Sequence, residues 1–249
     1  MHPVFGAWLS RPAAPPLLPG EIHIWQIDLD LPESDLGALS ATLQPEERQR
    51  AARFRFAVHR NRFIARRGQL RQILGSYLGE AAPALRFEQG PHGKPHVLRS
   101  LPGDDLHFNL SDAGPLALIA VTHAASVGID VEIAHPDLDI QSLAERFFAP
   151  REVSAIQALP TSRRPDAFYA CWTRKEAYSK ALGVGLSLPL DSFAVSVELE
   201  RPALLWDAQD PEAPRRWRLY APATGPEVYA ALAVARHDAF WTGYRWQRL

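Results

Sequence analysis

The sequence predicts an α+β protein built from two similar halves, and three observations carry that prediction. Apolar periodicity runs from strand to helix to strand, and then to helix and strand again. The two blocks meet at a short turn around His123–Ser126. No low-complexity tract or short-period repeat argues for a solenoid. The simplest division is therefore residues 1–122 and residues 123–249.

Each element has a local reason. Five prolines within residues 1–20 make an irregular lead-in, after which Ile22–Leu29 reads as the first strand. Pro45-Glu46-Glu47 opens a helix, with proline in its first turn and carboxylates at the positive end of its dipole. Phe63, Leu70, Ile73, Leu74 and Tyr77 recur at helical spacing over Arg60–Leu78, and Gly79 is placed to cap that helix. The periodicity then changes, and Leu85–Glu88, Leu106–Leu110, Leu116–Thr122 and Val127–Glu132 read as strands. Helical signals return at Leu143–Phe148, Pro150–Ala158 and Pro165–Leu182. The tail carries strand-like runs at Phe193–Leu199, Trp217–Tyr220, Val228–Ala235 and Phe240–Trp246.

Composition narrows the function classes. A chain of 249 residues, 47% hydrophobic and 22% charged, has the make-up of a soluble globular protein with a substantial core. A net charge of −1 gives no global attraction to nucleic acid or anionic membrane. The longest apolar runs, Leu116–Val121 and Val228–Ala235, are too short to span a bilayer. The N-terminal residues lack the basic and apolar regions of a secretory signal, and a single cysteine, Cys171, excludes an internal disulfide. The expected location is a reducing cytoplasm, with Cys171 a small buried residue beside Trp172. Nine arginines fall between Arg48 and Arg71. They share the stretch with a helical apolar stripe and no nucleic-acid motif, so they read as a solvated helix face rather than an RNA or DNA surface.

The chemistry-bearing residues are few. The chain has only three lysines, Lys94, Lys175 and Lys180, against 24 arginines. Two of the three lie in Trp172-Thr173-Arg174-Lys175-Glu176-Ala177-Tyr178-Ser179-Lys180. A lysine kept in an arginine-biased chain points to a need for a compact, flexible ammonium. Asp130 and Glu132 sit two apart on a predicted strand and so project from one face. Adjacent carboxylates repel unless a cation lies between them. Glu176 lies four residues from both Trp172 and Lys180, which aligns all three on one helical stripe. Oxygen donors without a Cys or His cluster suit Mg²⁺ better than zinc, and Mg²⁺ usually shares its coordination with substrate phosphates. Other constellations fail. His92-x-x-x-His96 is interrupted by Gly93 and Pro95, and Gly183-Val184-Gly185 lacks the third glycine of a dinucleotide fingerprint.

Gly128-x-Asp130-x-Glu132 followed by Trp172-x-x-Lys175-Glu176-Ala177 resembles the signature of the 4′-phosphopantetheinyl transferases, in particular the surfactin-synthetase-activating type. Phe108-Asn109-Leu110-Ser111, Gly93-Lys94-Pro95, Arg146-Phe147-Phe148 with Glu152, and Gly185–Phe193 follow the family's further motifs in order, covering roughly residues 43–193. The resemblance implies two halves in a pseudo-twofold arrangement, with the active site in the cleft between them. It implies a monomer that transfers phosphopantetheine from coenzyme A to a serine of an apo acyl or peptidyl carrier protein. Asp130, Glu132 and Glu176 would hold Mg²⁺, with Mn²⁺ an alternative, against the coenzyme A pyrophosphate. Lys180, with Lys175 as a second candidate, would neutralise charge developing on the phosphate oxygens. Lys94 and Arg50 would lie near the 3′-phosphate and adenine, Arg62 near the nucleotide, and Ser111 would donate to phosphate. The general base stays open between Glu176, Glu132 and a metal-bound water. One residue departs from the pattern: the family commonly has His after F-N-x-S, and here the position is Asp112. Either a neighbouring arginine supplies the missing charge or coenzyme A binds more weakly. The alternative function is a non-catalytic coenzyme A- or carrier-binding protein on the same fold.

Overall fold

Residues 8–11, 13–98, 106–123 and 125–247 are described in a computed structural model. The chain begins with strands β1 (Leu9–Arg11) and β2 (Glu21–Asp28), then helices α1 (Glu33–Thr42), α2 (Pro45–Ala52) and α3 (Ala57–Leu78). A hairpin of β3 (Phe87–Gln89) and β4 (Pro95–Val97) leads into β5 (His107–Ala113), β6 (Leu116–Thr122) and β7 (Val127–Ile133). Helices α4 (Ile140–Phe147), α5 (Pro150–Gln157) and α6 (Arg164–Leu182) follow, then β8 (Phe193–Val195), β9 (Leu204–Asp207) and the single turn α7 (Ala213–Arg216). Strands β10 (Arg218–Tyr220), β11 (Val228–Val234) and β12 (Phe240–Trp246) complete the fold.

Local signals set the helix ends. Pro45 starts α2, and the Glu47 carboxylate accepts the Gln44 N–H at 2.9 Å, filling an otherwise open donor. Helices α3 and α6 both stop at glycines in the left-handed region, Gly79 at φ 63° and Gly183 at φ 70°. Elements that periodicity does not reveal are short or weakly apolar. Helix α1 buries only Leu36 and Leu39, and β1, β4 and β9 are three or four residues long. The strand predicted over Phe193–Leu199 ends at Val195, next to a register shift against β9.

Eight of the strands form two sheets, one ordered β1-β12-β2-β6-β5 and one ordered β10-β11-β7. Alternation divides their strands between three apolar cores. Ile22, Ile24, Leu118 and Ala120 meet Ile129, Val131, Leu232 and Val234 in a core shared by the sheets. The opposite face of the larger sheet, with Trp25, Ile27, Ile119 and Val121, packs under Leu70, Ile73 and Leu74 of α3. The opposite face of the smaller sheet places Ala231 and Ala233 beneath Phe168, Ala177 and Tyr178 of α6. The layers therefore run helix, sheet, sheet, helix. Burial on both faces explains why β6 is apolar without interruption.

The α+β class holds, but the sheets do not respect a division at residue 122. Strand β12, from the end of the chain, lies between β1 and β2 and pairs parallel with both. Its register sets Trp241 against Ile22 and Tyr244 against Trp25. Alternation identifies β12 as a strand, yet nothing in its pattern names the sheet it joins.

Candidate active site

The site begins with a glycine. A Cβ on Gly128 would lie 2.1 Å from the Ala177 carbonyl oxygen and 2.4 Å from the Ala181 nitrogen, so α6 rests directly on β7 at this point. That close approach aims one stripe of α6 at the carboxylates of β7. Between Ala167 and Ala181 only Trp172, Glu176 and Lys180 escape full burial, and they recur every fourth residue. Trp172 anchors the stripe by stacking on Phe168 at 5.9 Å and standing edge-on to Phe147 at 6.0 Å.

Across from the stripe, Lys180 Nζ donates to Asp130 Oδ1 at 2.6 Å and to Ser111 Oγ at 2.8 Å. Ser111 in turn donates to Asp130 Oδ1 at 2.8 Å. Strand β5 runs alongside β7, and the Asn109 side chain replaces a ladder hydrogen bond by accepting the Ile129 N–H at 2.8 Å. That bond also fixes the Asn109 amide, leaving its NH₂ as a donor. Asp130 is 3% exposed and its Oδ2 is a buried oxygen with no partner among the described residues.

The electrostatics are those of a cluster short of positive charge. Burial raises Asp130 above the usual carboxylate range, against the pull of Lys180 and Ser111. Glu132 is raised by burial, then by the Asp130 charge, while Lys180 and the Trp172 N–H oppose the shift. Glu176 is raised by burial and by Asp130, again opposed by Lys180. No three of the described His, Cys, Asp or Glu side chains are gathered tightly enough to cage a metal unaided. The donor set nevertheless fits a hard cation. Asp130 keeps a buried oxygen without a partner among the described residues, and Glu132 and Glu176 beside it are only half-buried oxygen donors.

Beside this cluster lies a cleft of about 390 Å³. Its walls include Glu46, Glu47, Arg50, Phe63, Arg66 and Arg67 from α2 and α3, Glu88, Gly93 and Pro95 from the β3–β4 hairpin, and Asn109 from β5, with Glu47 already held by Arg67 and Arg71. Asn109 thus ties the cleft wall to β7, one residue before Asp130. Arg50 lies over the Phe63 ring at 5.4 Å, and Arg67 over Phe87 at 4.4 Å. Cations and aromatic faces of this kind suit a ligand with phosphates and a planar base.

Several expected ligands are placed elsewhere. Lys175 is fully buried and its three donors are spent on Glu152 Oε2, the Leu190 carbonyl and the Phe193 carbonyl, each at 2.7 Å. It braces the core of the second half and does not reach the cleft. Arg62 turns out to Asp30, with contacts of 2.6 and 2.7 Å, and does not line the cleft. Lys94 reaches across the halves to the carbonyls of Val127 at 2.9 Å and Ala181 at 3.1 Å, while its neighbours Gly93 and Pro95 face the cleft. Burial pushes its ammonium down to about 8. Asp112 is paired with Arg66, a residue outside the predicted set. Opposite charges 46 positions apart leave no spacing signal, so only the fold reveals that pair.

Comparison with known proteins agrees with this geometry. Residues 126–233 match the 4′-phosphopantetheinyl transferase superfamily, and residues 32–124 match the 4′-phosphopantetheinyl transferase N-terminal family. The chain is 40% identical over 240 residues to the 4′-phosphopantetheinyl transferase HetI of Nostoc sp., covering 96% of this chain and 95% of that protein. It is 31% identical over 225 residues to a 4′-phosphopantetheinyl transferase of Bacillus subtilis, covering 89% and 96%. It is 32% identical over 170 residues to the 4′-phosphopantetheinyl transferase Sfp of Bacillus subtilis, covering 68% and 73%. The chain belongs to the 4′-phosphopantetheinyl transferase superfamily and is an enzyme of that class. None of its described helices is long and apolar enough to cross a membrane.

Proposed function

We propose that this transferase moves the 4′-phosphopantetheine arm of coenzyme A onto a serine of an apo acyl or peptidyl carrier protein, in an Mg²⁺-dependent reaction. The observation that carries the reading is the Trp172–Glu176–Lys180 stripe, held by Gly128 against Asp130 and Glu132 at the edge of an arginine-lined cleft. Asp130, Glu132 and Glu176 would hold the cation, which would supply Lewis-acid neutralisation of the pyrophosphate oxygens. The nucleotide would lie along Arg50, Phe63 and Arg66, with its phosphates leading toward Ser111 and Lys180. The Lys180 ammonium, hydrogen-bonded by Ser111 and Asp130, is preorganised to meet charge that builds on the leaving phosphate. Glu176, Glu132 or a water held by the cation would take the proton of the carrier serine. One chain supplies both the arginine-lined cleft of the first half and the carboxylate cluster of the second, which suits a monomer, and the single cysteine suits a reducing cytoplasm.

The non-catalytic alternative drew its force from Asp112, a negative charge where phosphate is expected. Arg66 answers that charge directly. The deciding experiment is the intact mass of an apo acyl or peptidyl carrier protein after incubation with this protein, coenzyme A and Mg²⁺. A gain of one phosphopantetheine arm, lost with Asp130→Ala, Glu176→Ala or a chelator, is the expected result. Coenzyme A binding without mass gain on any carrier class would overturn it in favour of the non-catalytic reading.

A further inference from the structure

The cations around the cleft differ in how far their charge is already committed. Arg67 is held by Glu47, and Arg71 is buried between Glu47 and the carbonyls of Ala82 and Leu85. Lys94 serves two carbonyls, and Lys180 serves Asp130 and Ser111. Arg50 has no ion pair among the described residues, and Arg66 has only that with the half-exposed Asp112; their guanidinium carbons lie 5.4 and 5.8 Å from the centre of the Phe63 ring. Phe63 is buried in the cleft wall and fixes both.

Arg66 differs from Arg50 in having a second anchor. Its Nη1 donates to Asp112 Oδ1, and among the described residues its other N–H groups make no hydrogen bond. The side chains of the pair are 28% and 36% exposed, so a ligand can reach them. Asp112 directly follows Ser111, whose hydroxyl touches both Lys180 and Asp130. Arg66 lines the cleft with Phe63 and Leu110, so the pair stands where α3 faces β5 at the cleft wall. An acceptor ligand entering there meets a guanidinium whose position is set from two sides and whose remaining donors form a planar fork.

We propose that Arg66, oriented by Asp112 and Phe63, is the residue in this chain that receives a phosphate of the bound ligand. Asp112 is then a positioning residue whose own charge is cancelled by its partner. This rests on the coenzyme A reading above. The role is specific to the pair: with Arg66 removed, Asp112 becomes an unpaired carboxylate that repels the phosphate.

The test is calorimetric titration of coenzyme A and of dephospho-coenzyme A into the full chain, Arg66→Gln, and Arg66→Gln/Asp112→Asn. Thermal midpoints confirm that each variant is folded. Arg66→Gln should weaken coenzyme A binding about 10- to 100-fold, the scale of a charge-assisted hydrogen-bond pair. The double variant should bind more tightly than Arg66→Gln, because the repelling carboxylate is gone. A loss confined to coenzyme A assigns Arg66 to the 3′-phosphate; an equal loss with both ligands assigns it to the pyrophosphate. Arg66→Gln binding within twofold of the natural chain overturns the proposal, as does a double variant no tighter than the single one. Failure of the natural chain to bind coenzyme A at all would instead overturn the function on which it rests.

Discussion

Glu176 is less stable where it stands than it would be in water, because burial and the Asp130 charge both penalise its ionised form. A carboxyl raised in the folded state binds protons more readily there than in the unfolded chain. Its contribution to stability is thus best in acid and falls as pH rises through its folded value. Glu176→Gln should accordingly raise the metal-free thermal midpoint at neutral pH, by roughly 1–3 °C for a chain of this size. The gain should vanish below about pH 4, where the carboxyl is protonated in both states. Added Mg²⁺ should stabilise the natural chain and leave the variant unmoved, since only a bound cation shifts the folding equilibrium. Lys94 offers a second residue-scale check. With only three lysines, reductive ¹³C-methylation gives signals that single substitutions can assign. Lys175, at 0% exposure, should resist the reagent, and the Lys94 signal should titrate near its depressed value of about 8. Because the charged form is the penalised one, the stability cost of Lys94 is present below that value and is relieved between about 8 and 10.5. A Lys94 signal still titrating above 10 would show an ammonium open to water.

The elements meet through contacts that tolerate little change. Gly128 admits the backbone of α6, so Gly128→Ala forces β7 and α6 apart and should cost about 3 kcal/mol or more. It should also cut transfer activity in whatever protein still folds, because Glu176 and Lys180 move away from Asp130. Denaturant melts and carrier mass shifts measure the two effects separately. Lys175 binds α6 to α5 and β8 through Glu152, whose carboxylate also accepts the Ala149 and Val195 N–H groups. Lys175→Met should cost about 3–5 kcal/mol by leaving Glu152 buried and uncompensated. If Lys175 acted on phosphate instead, the same variant would keep its stability and lose only activity.

At the scale of the whole molecule, β12 closes the larger sheet that the first half begins. A fragment of residues 1–122 should therefore fail to show a cooperative thermal transition, since β2 loses its parallel partner and Trp25 loses Tyr244, whose ring centre lies 4.9 Å away. Fusing residues 238–247 ahead of that fragment should restore the transition, as read by circular dichroism. A fragment that melts cooperatively without β12 would make the halves independent. The sequence by itself determined the α+β class, most helix ends and the carboxylate and lysine pattern, because these depend on period, caps and spacing within a few residues. Asp130, Glu132, Glu176 and Lys180 were legible for that reason. Only the tertiary structure decided that Lys175 and Lys94 brace the fold, that Arg66 answers Asp112, and that the last strand lies in the first sheet. Those outcomes depend on which distant surfaces a buried charge or an unpaired strand edge finds, and neither leaves a periodic trace in the chain.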